Sequence, residues 1–110
     1  MDTTNAVRCL NALAQESRLE VFRRLVRAGP KGVAAGDLAE REGIPTSTLS
    51  FHLKTLSHAG LVERRQEGRF MYYSANFEVM NALVAFLGDN CCGGQPCMPR
   101  AAPARARASR

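Results

Sequence analysis

Three cysteines stand close together near the C-terminal end, in Cys91-Cys92-Gly93-Gly94-Gln95-Pro96-Cys97. Thiolates are soft ligands that select soft acceptors. With no histidine or carboxylate between them, three sulfurs suit a thiophilic, three-coordinate centre such as As(III) or Sb(III). They fit zinc less well, because zinc prefers four ligands in a tetrahedron. Two adjacent cysteines and a third further on converge on one ion only if the backbone between them turns sharply, and Gly93 and Gly94 supply that freedom. The same residues also fit a thiol redox switch in which Cys97 pairs with Cys91 or Cys92, a vicinal 91–92 bond being strained. A reduced segment without any ligand is the plainest alternative. The fourth cysteine, Cys9, lies alone in a helical stretch and reads as a small packing hydrophobe.

A second set of side chains suits recognition rather than bond-making. Residues 44–62, IPTSTLSFHLKTLSHAGLV, carry Leu49, Leu53 and Leu56 at i, i+4 and i+7, the signature of one buried helical stripe. Pro45 and Thr46 read as turn and N-cap, and Gly60 as the left-handed residue that closes the helix. The leucines fix the inward direction. They leave Ser47, Thr48, Ser50, Phe51, Lys54, Thr55 and His58 on the outward half, with His52 at the flank. A solvated helix face is normally richer in Glu, Lys and Arg. Small hydroxyls, one lysine and one aromatic suit a DNA groove instead, with Phe51 equally able to pack on a neighbouring helix and the two histidines read as supporting or phosphate-facing rather than metal-ligating.

The rest of the chain must hold these two sets. A first helix capped by Thr3 or Thr4 puts Val7, Leu10 and Ala14 on one face. Ser17-Arg18-Leu19-Glu20 fits a capping box for a second helix that ends at Gly29. A short third helix over about residues 35–42, with Leu38 and Ala39 inward and Gly43 at its end, is joined to the fourth by Ile44 and Pro45 alone, the tight connection of a helix-turn-helix. After Gly60 the apolar period shortens to about two, so residues 61–66 and 69–74 read as a hairpin around Glu67-Gly68. Arg64, Arg65 and Arg69 cluster near its tip, where phosphates would lie. Asn76 caps a last helix with Met80, Leu83, Val84 and Leu87 in one stripe. Val79 and Phe86 widen that stripe beyond what a small core needs, which suggests a dimer interface.

With 110 residues and 45% hydrophobic content, the chain is long enough for one domain with a modest core. Its net charge of +5 is weak evidence for a nucleic-acid partner, since Arg100, Arg105, Arg107 and Arg110 supply four of those charges. No apolar run approaches the ~20 residues of a membrane span, and no signal peptide is evident. A cytoplasmic location is expected, where cysteines bind metals or sense redox change more often than they form structural disulfides. There is no nucleophile–base pair, carboxylate dyad or phosphate loop, so an enzyme is not expected. Three segments are expected: a helix-turn-helix and dimerisation domain over residues 1–90, a cysteine segment over 91–97, and an Arg/Ala/Pro tail over 98–110 too poor in apolar residues to order.

The order of elements, the stretch ALAQESRLEVFRRL over residues 12–25 and above all TLSFHLKTLSHAGLV over residues 48–62 resemble the ArsR/SmtB family of small bacterial winged-helix repressors. The resemblance covers about residues 5–88. It implies a mainly α winged helix-turn-helix with a β-hairpin wing, a homodimer built through the first and last helices, binding to operator double-stranded DNA, and release by an inducer. The Cys-Val-Cys box of the well-known arsenic sensors is missing, its place being taken by VAAGDL over residues 33–38. The last helix lacks the histidines of the zinc sensors. Some arsenic-responsive members carry a vicinal cysteine pair and a nearby third cysteine after the last helix, as this chain does. The resemblance thus implies an As(III)- or Sb(III)-released repressor with Cys91, Cys92 and Cys97 as ligands, and DNA contacts from Ser47, Thr48, Ser50, Phe51, Lys54, Arg64, Arg65 and Arg69.

Overall fold

The computed structural model of the chain describes residues 1–95. Cys97, the expected third sulfur, and the Arg/Ala/Pro tail lie outside the described residues. In chain order the elements are α1 (Thr3–Leu13), α2 (Glu16–Ala28), β1 (Val33–Ala34), α3 (Ala35–Glu42), α4 (Thr46–His58), β2 (Val62–Glu67), β3 (Phe70–Ala75) and α5 (Phe77–Leu87), followed by a 3-10 turn over Cys91–Gly94. This is the expected winged helix-turn-helix, with one strand more than the sequence suggests. The antiparallel sheet runs β1-β3-β2, because Val33 and Ala34 pair with Tyr73 and Tyr72. Gly32 makes that pairing possible: at φ +77°, a Cβ there would lie 2.6 Å from the Tyr73 carbonyl oxygen.

The core is built mainly from α2, α3 and α4, with Val21, Leu25, Leu38, Leu49, Leu53 and Leu56 buried and Leu61 sealing the step from α4 into the hairpin. Each fully buried leucine stabilises the fold by about 1.5–3 kcal/mol relative to exposure. Helix α3 ends as expected on left-handed Gly43, whose N–H donates to the Glu40 and Ala39 carbonyls, and a salt bridge from Arg24 to Glu42 ties its last turn to α2.

Several local expectations give way to competing groups. Asp2, not Thr3 or Thr4, caps α1 by accepting from the Asn5 N–H at 2.8 Å. Gln15, not Ser17, caps α2, its side-chain oxygen accepting from the Arg18 N–H at 2.8 Å, so the helix starts before the serine of the supposed capping box. Thr46 is already helical. Extended Pro45 precedes it without a side-chain cap. On α1 the buried stripe is Ala6, Cys9 and Ala12, while Val7 and Leu10 face outward. The small side chains let α1 approach the end of α4, where the Cys9 thiol donates to the Ala59 carbonyl at 3.5 Å.

Candidate nucleic-acid interface and cysteine turn

Helix α4 presents the surface its spacing predicts. Ser47, Thr48, Ser50, Phe51 and Lys54 are all exposed, Phe51 at 63%, while Leu49, Leu53 and Leu56 hold the opposite side in the core. Left-handed Gly60, at φ +81°, closes the helix and turns the chain into the hairpin, so only Ala59, Gly60 and Leu61 separate α4 from β2. Among the described residues Phe51 packs on no neighbouring helix, and its one ring contact there is a tilted approach to His52, centroids 6.3 Å apart.

His52 is not at the surface flank. It is 8% exposed, and its Nδ1 has no hydrogen-bond partner among the described residues. Burial lowers its pKa, and the nearby Arg18 guanidinium lowers it further. The imidazole is therefore held neutral at physiological pH and packs as part of the core rather than meeting phosphates. Arg18 is fixed in turn, its Nε donating to the Ala12 carbonyl at 2.7 Å across the corner between α1 and α2.

The hairpin arginines do not form one cluster at the tip. The β2–β3 register runs from Val62↔Ala75 to Glu67↔Phe70, so only Gly68 and Arg69 make the turn, with Gly68 at φ +63°. Arg64 lies opposite Tyr73 and Arg65 opposite Tyr72, on alternate faces of the ribbon. Arg65 is engaged on its face: Nε meets Glu67 Oε2 at 2.5 Å, a terminal nitrogen donates to the Lys31 carbonyl at 3.0 Å, and the guanidinium lies 5.3 Å from the Tyr72 ring centroid. Arg64 and Arg69 have no carboxylate partner among the described residues.

After the hairpin, Asn76 caps α5 as expected, accepting from the Val79 N–H at 3.2 Å. Of the stripe on that helix only Leu83 is buried. Val84 and Leu87 are 63% and 61% exposed, and with Val7 and Leu10 of α1 they leave large apolar side chains facing outward. Beyond Gly88 the backbone turns tightly, with Asn90, Cys92, Gly93 and Gly94 all at positive φ. The Cys91 and Cys92 side chains are exposed, their sulfurs 3.9 Å apart. The described residues hold no cluster of three His, Cys, Asp or Glu side chains able to bind a metal. Cys9, by contrast, is buried, and desolvation raises its thiol pKa against a smaller opposing effect of Arg8.

A family model for a helix-turn-helix domain matches residues 13–65. The arsenical resistance operon repressor of Bacillus subtilis (strain 168) is 37% identical over 81 residues, which cover 74% of this chain and 73% of that protein. This chain belongs to the ArsR family. The fold agrees: the homodimeric winged helix-turn-helix DNA-binding domain Mb0332 of Mycobacterium bovis superposes with a TM-score of 0.64 at 30% identity, over 84% of this chain and 85% of its own. HlyU of Vibrio cholerae N16961, named among its relatives as a transcriptional activator, superposes at 0.64 and 30% identity over 84% of this chain and 99% of that one. Members of the ArsR family are DNA-binding transcriptional regulators and not enzymes, and in that fold α3 and α4 are the helix-turn-helix and the β2–β3 hairpin the wing.

Proposed function

We propose that this ArsR-family regulator is a homodimeric repressor that holds operator DNA through α4 and the wing, and releases it when As(III) or Sb(III) is bound by Cys91, Cys92 and Cys97. The observation that carries the inducer is the cysteine turn. Two thiolates each about 2.3 Å from a common ion stand roughly 3.5 Å from one another, and the Cys91 and Cys92 sulfurs are already 3.9 Å apart on an exposed turn. Asn90, Cys92, Gly93 and Gly94 all stand at positive φ, the kind of tight backbone that bringing in a third sulfur only a few residues on requires. The related Bacillus subtilis protein is a repressor of an arsenical resistance operon, in keeping with this reading.

The ligand would supply soft, three-coordinate bonding to sulfur at this turn. The chain's own part is to give up thiol protons and to close residues 91–97 onto one point. That closure acts on the end of α5, whose Val84 and Leu87 face is the natural seat of the second subunit, together with Val7 and Leu10 of α1. Recognition helices in a dimer must match half-sites ~34 Å apart. A small change in how α5 ends therefore alters their fit, and a coupling of ~1–3 kcal/mol weakens DNA binding about 5- to 150-fold, reciprocally with inducer binding.

The reading is tested by titrating a labelled operator complex with arsenite, antimonite and a methylated As(III) species in reducing buffer while counting thiols lost per monomer. Release with three thiols consumed supports it. Release by peroxide but not by arsenite would replace it with the thiol redox switch.

A further inference from the structure

A groove of about 580 Å³ runs between α1 and the last turn of α4 and takes one further side chain, Arg18, from α2. Thr4, Val7, Arg8 and Asn11 stand at i, i+3, i+4 and i+7, so α1 turns one stripe toward it, and Thr55, His58 and Ala59 do the same from the end of α4. No carboxylate is among the described residues that line it, and neither Arg8 nor Arg18 has a carboxylate partner among the described residues. There Arg8 is held only by the Asn5 side-chain oxygen, at 3.4 Å. The Arg18 Nε donates to the Ala12 carbonyl, which fixes the guanidinium at the corner of α1 and α2 and leaves its terminal nitrogens for another acceptor. His52, close enough to feel the Arg18 charge, is buried and neutral and offsets none of it. The fold positions two cations along this groove and supplies neither with an anion from the described residues.

A guanidinium presents its donors as a rigid fork that matches the oxygens of a carboxylate or a phosphate. Beside the two arginines, the Asn11 amide and the His58 imidazole offer further N–H donors, whereas the Thr55 hydroxyl is already donated to the Phe51 carbonyl at 3.2 Å. Val7, Ala12 and Ala59 line the remainder with apolar surface, and the volume falls in the range of about 300–1,000 Å³ usual for small-molecule sites. Nucleic acid is the poorer fit, because a recognition helix meets bases with its N-terminal residues and this groove takes the C-terminal turn of α4. The segment over residues 98–110 is poorer still, being itself rich in arginine. We propose that the groove binds a small organic anion at a site apart from the cysteine turn. Arg8 and Arg18 hold its carboxylate or phosphate head with Asn11 and His58 as further donors, and Val7, Ala12 and Ala59 receive its apolar body. Val7 also belongs to the face proposed above for the second subunit, so the groove runs along the edge of that face.

The test uses the full-length, isotope-labelled protein without DNA, so its failure leaves the operator reading untouched. Phenyl phosphate, benzoate, inorganic phosphate and benzyl alcohol are titrated in turn while amide and arginine Nε–H resonances are followed by NMR. At least one of the two organic anions should saturate, with shifts centred on residues 4–12, 18 and 55–59, and the tighter of the two tells a phosphate head from a carboxylate. Inorganic phosphate should bind about tenfold more weakly than the tighter probe, for want of an apolar body to bury, and benzyl alcohol should not bind. Arg8→Gln, at an exposed position, and His58→Gln should each weaken the tighter probe about tenfold or more, the effect of losing a hydrogen bond to a charged group. Arg18→Lys, which keeps the charge and loses the fork, should weaken it as well. Failure of both organic anions to saturate, equal affinity for inorganic phosphate, or parental affinity in Arg8→Gln and His58→Gln would overturn the site. So would a loss in Arg64→Gln as large as that in Arg8→Gln, which would put the probe on the wing.

Discussion

Helices α4 and α5 are close in length, 13 and 11 residues, yet they treat their outward faces in opposite ways. Helix α4 buries Leu49, His52, Leu53 and Leu56 and shows solvent hydroxyls, a lysine and Phe51; α5 buries Leu83 and shows solvent Val84 and Leu87. A helix completed by its own core is free to carry a polar recognition face. One whose apolar side chains exceed what the core accepts needs another apolar surface. On the function proposed above, the contrast divides the regulator into a part that would meet DNA and a part that would meet a second copy of the chain, with the cysteine turn attached to the latter.

The contrast is sharpest in its energetics. Leu56→Ala empties a fully buried position and should cost about 2–5 kcal/mol in chemical denaturation. Val84→Asp, at an outward position, should leave helix content intact by circular dichroism but convert the protein to monomers in sedimentation. Because a monomer grips only one half-site, operator affinity should fall by about two orders of magnitude or more. A monodisperse dimer in that variant would break the division.

On the recognition side the expected effects are smaller. Lys54→Ala and Arg69→Ala should each weaken binding to all duplexes and flatten the salt slope by about one, since each removes one phosphate contact and its released counterion. Ser50→Ala or Ser47→Ala should instead change which bases are tolerated, by about 1–3 kcal/mol at the affected position. An unchanged salt slope in both cation variants would remove α4 and the wing from the DNA backbone.

His52 gives the smallest effect and the one set by pH. Its folded pKa lies below the ordinary 6.5 because burial, and then Arg18, disfavour the charged form. The unfolded chain therefore binds the proton more readily. Stability is fully present above about 6.5 and declines as pH falls from there toward the folded value. Urea midpoints recorded between pH 7.5 and 5 should show this decline, and His52→Gln should lose that part of it. A flat parental profile would mean that the imidazole is not held neutral by the fold.

How much of this was legible in the sequence follows the same division. Where one strong local pattern acts alone, the reading held: the leucine stripe of α4, Gly43 and Gly60 as helix-closing residues, and Asn76 as the cap of α5. Where two patterns compete, it did not. Helix α1 carries apolar residues on both faces, and only packing against Ala59 decides that small Ala6, Cys9 and Ala12 go inside and Val7 and Leu10 outside. Gln15 and Ser17 both offer an N-cap, and the tight corner at Ala12 and Arg18 favours the earlier one. Strand β1 is two residues held by backbone pairing to β3, which leaves no periodic trace. The arginines of the wing looked like one cluster because a ribbon's alternation sends neighbours to opposite faces only once its register is known.

The central claim, that DNA recognition and inducer sensing reside in separate parts of one small chain, is tested most directly by Cys92→Ser. The substitution replaces a soft thiolate with a hard hydroxyl of similar volume, on an exposed turn remote in sequence from α4 and the wing. Fluorescence anisotropy on labelled operator in reducing buffer should find affinity without metalloid within a few fold of the parent, and release by arsenite shifted to far higher concentration or lost, with Cys91→Ser and Cys97→Ser alike and Cys9→Ser still inducible. Release at parental arsenite concentrations in all of the Cys91, Cys92 and Cys97 variants would contradict the account and place the sensor elsewhere.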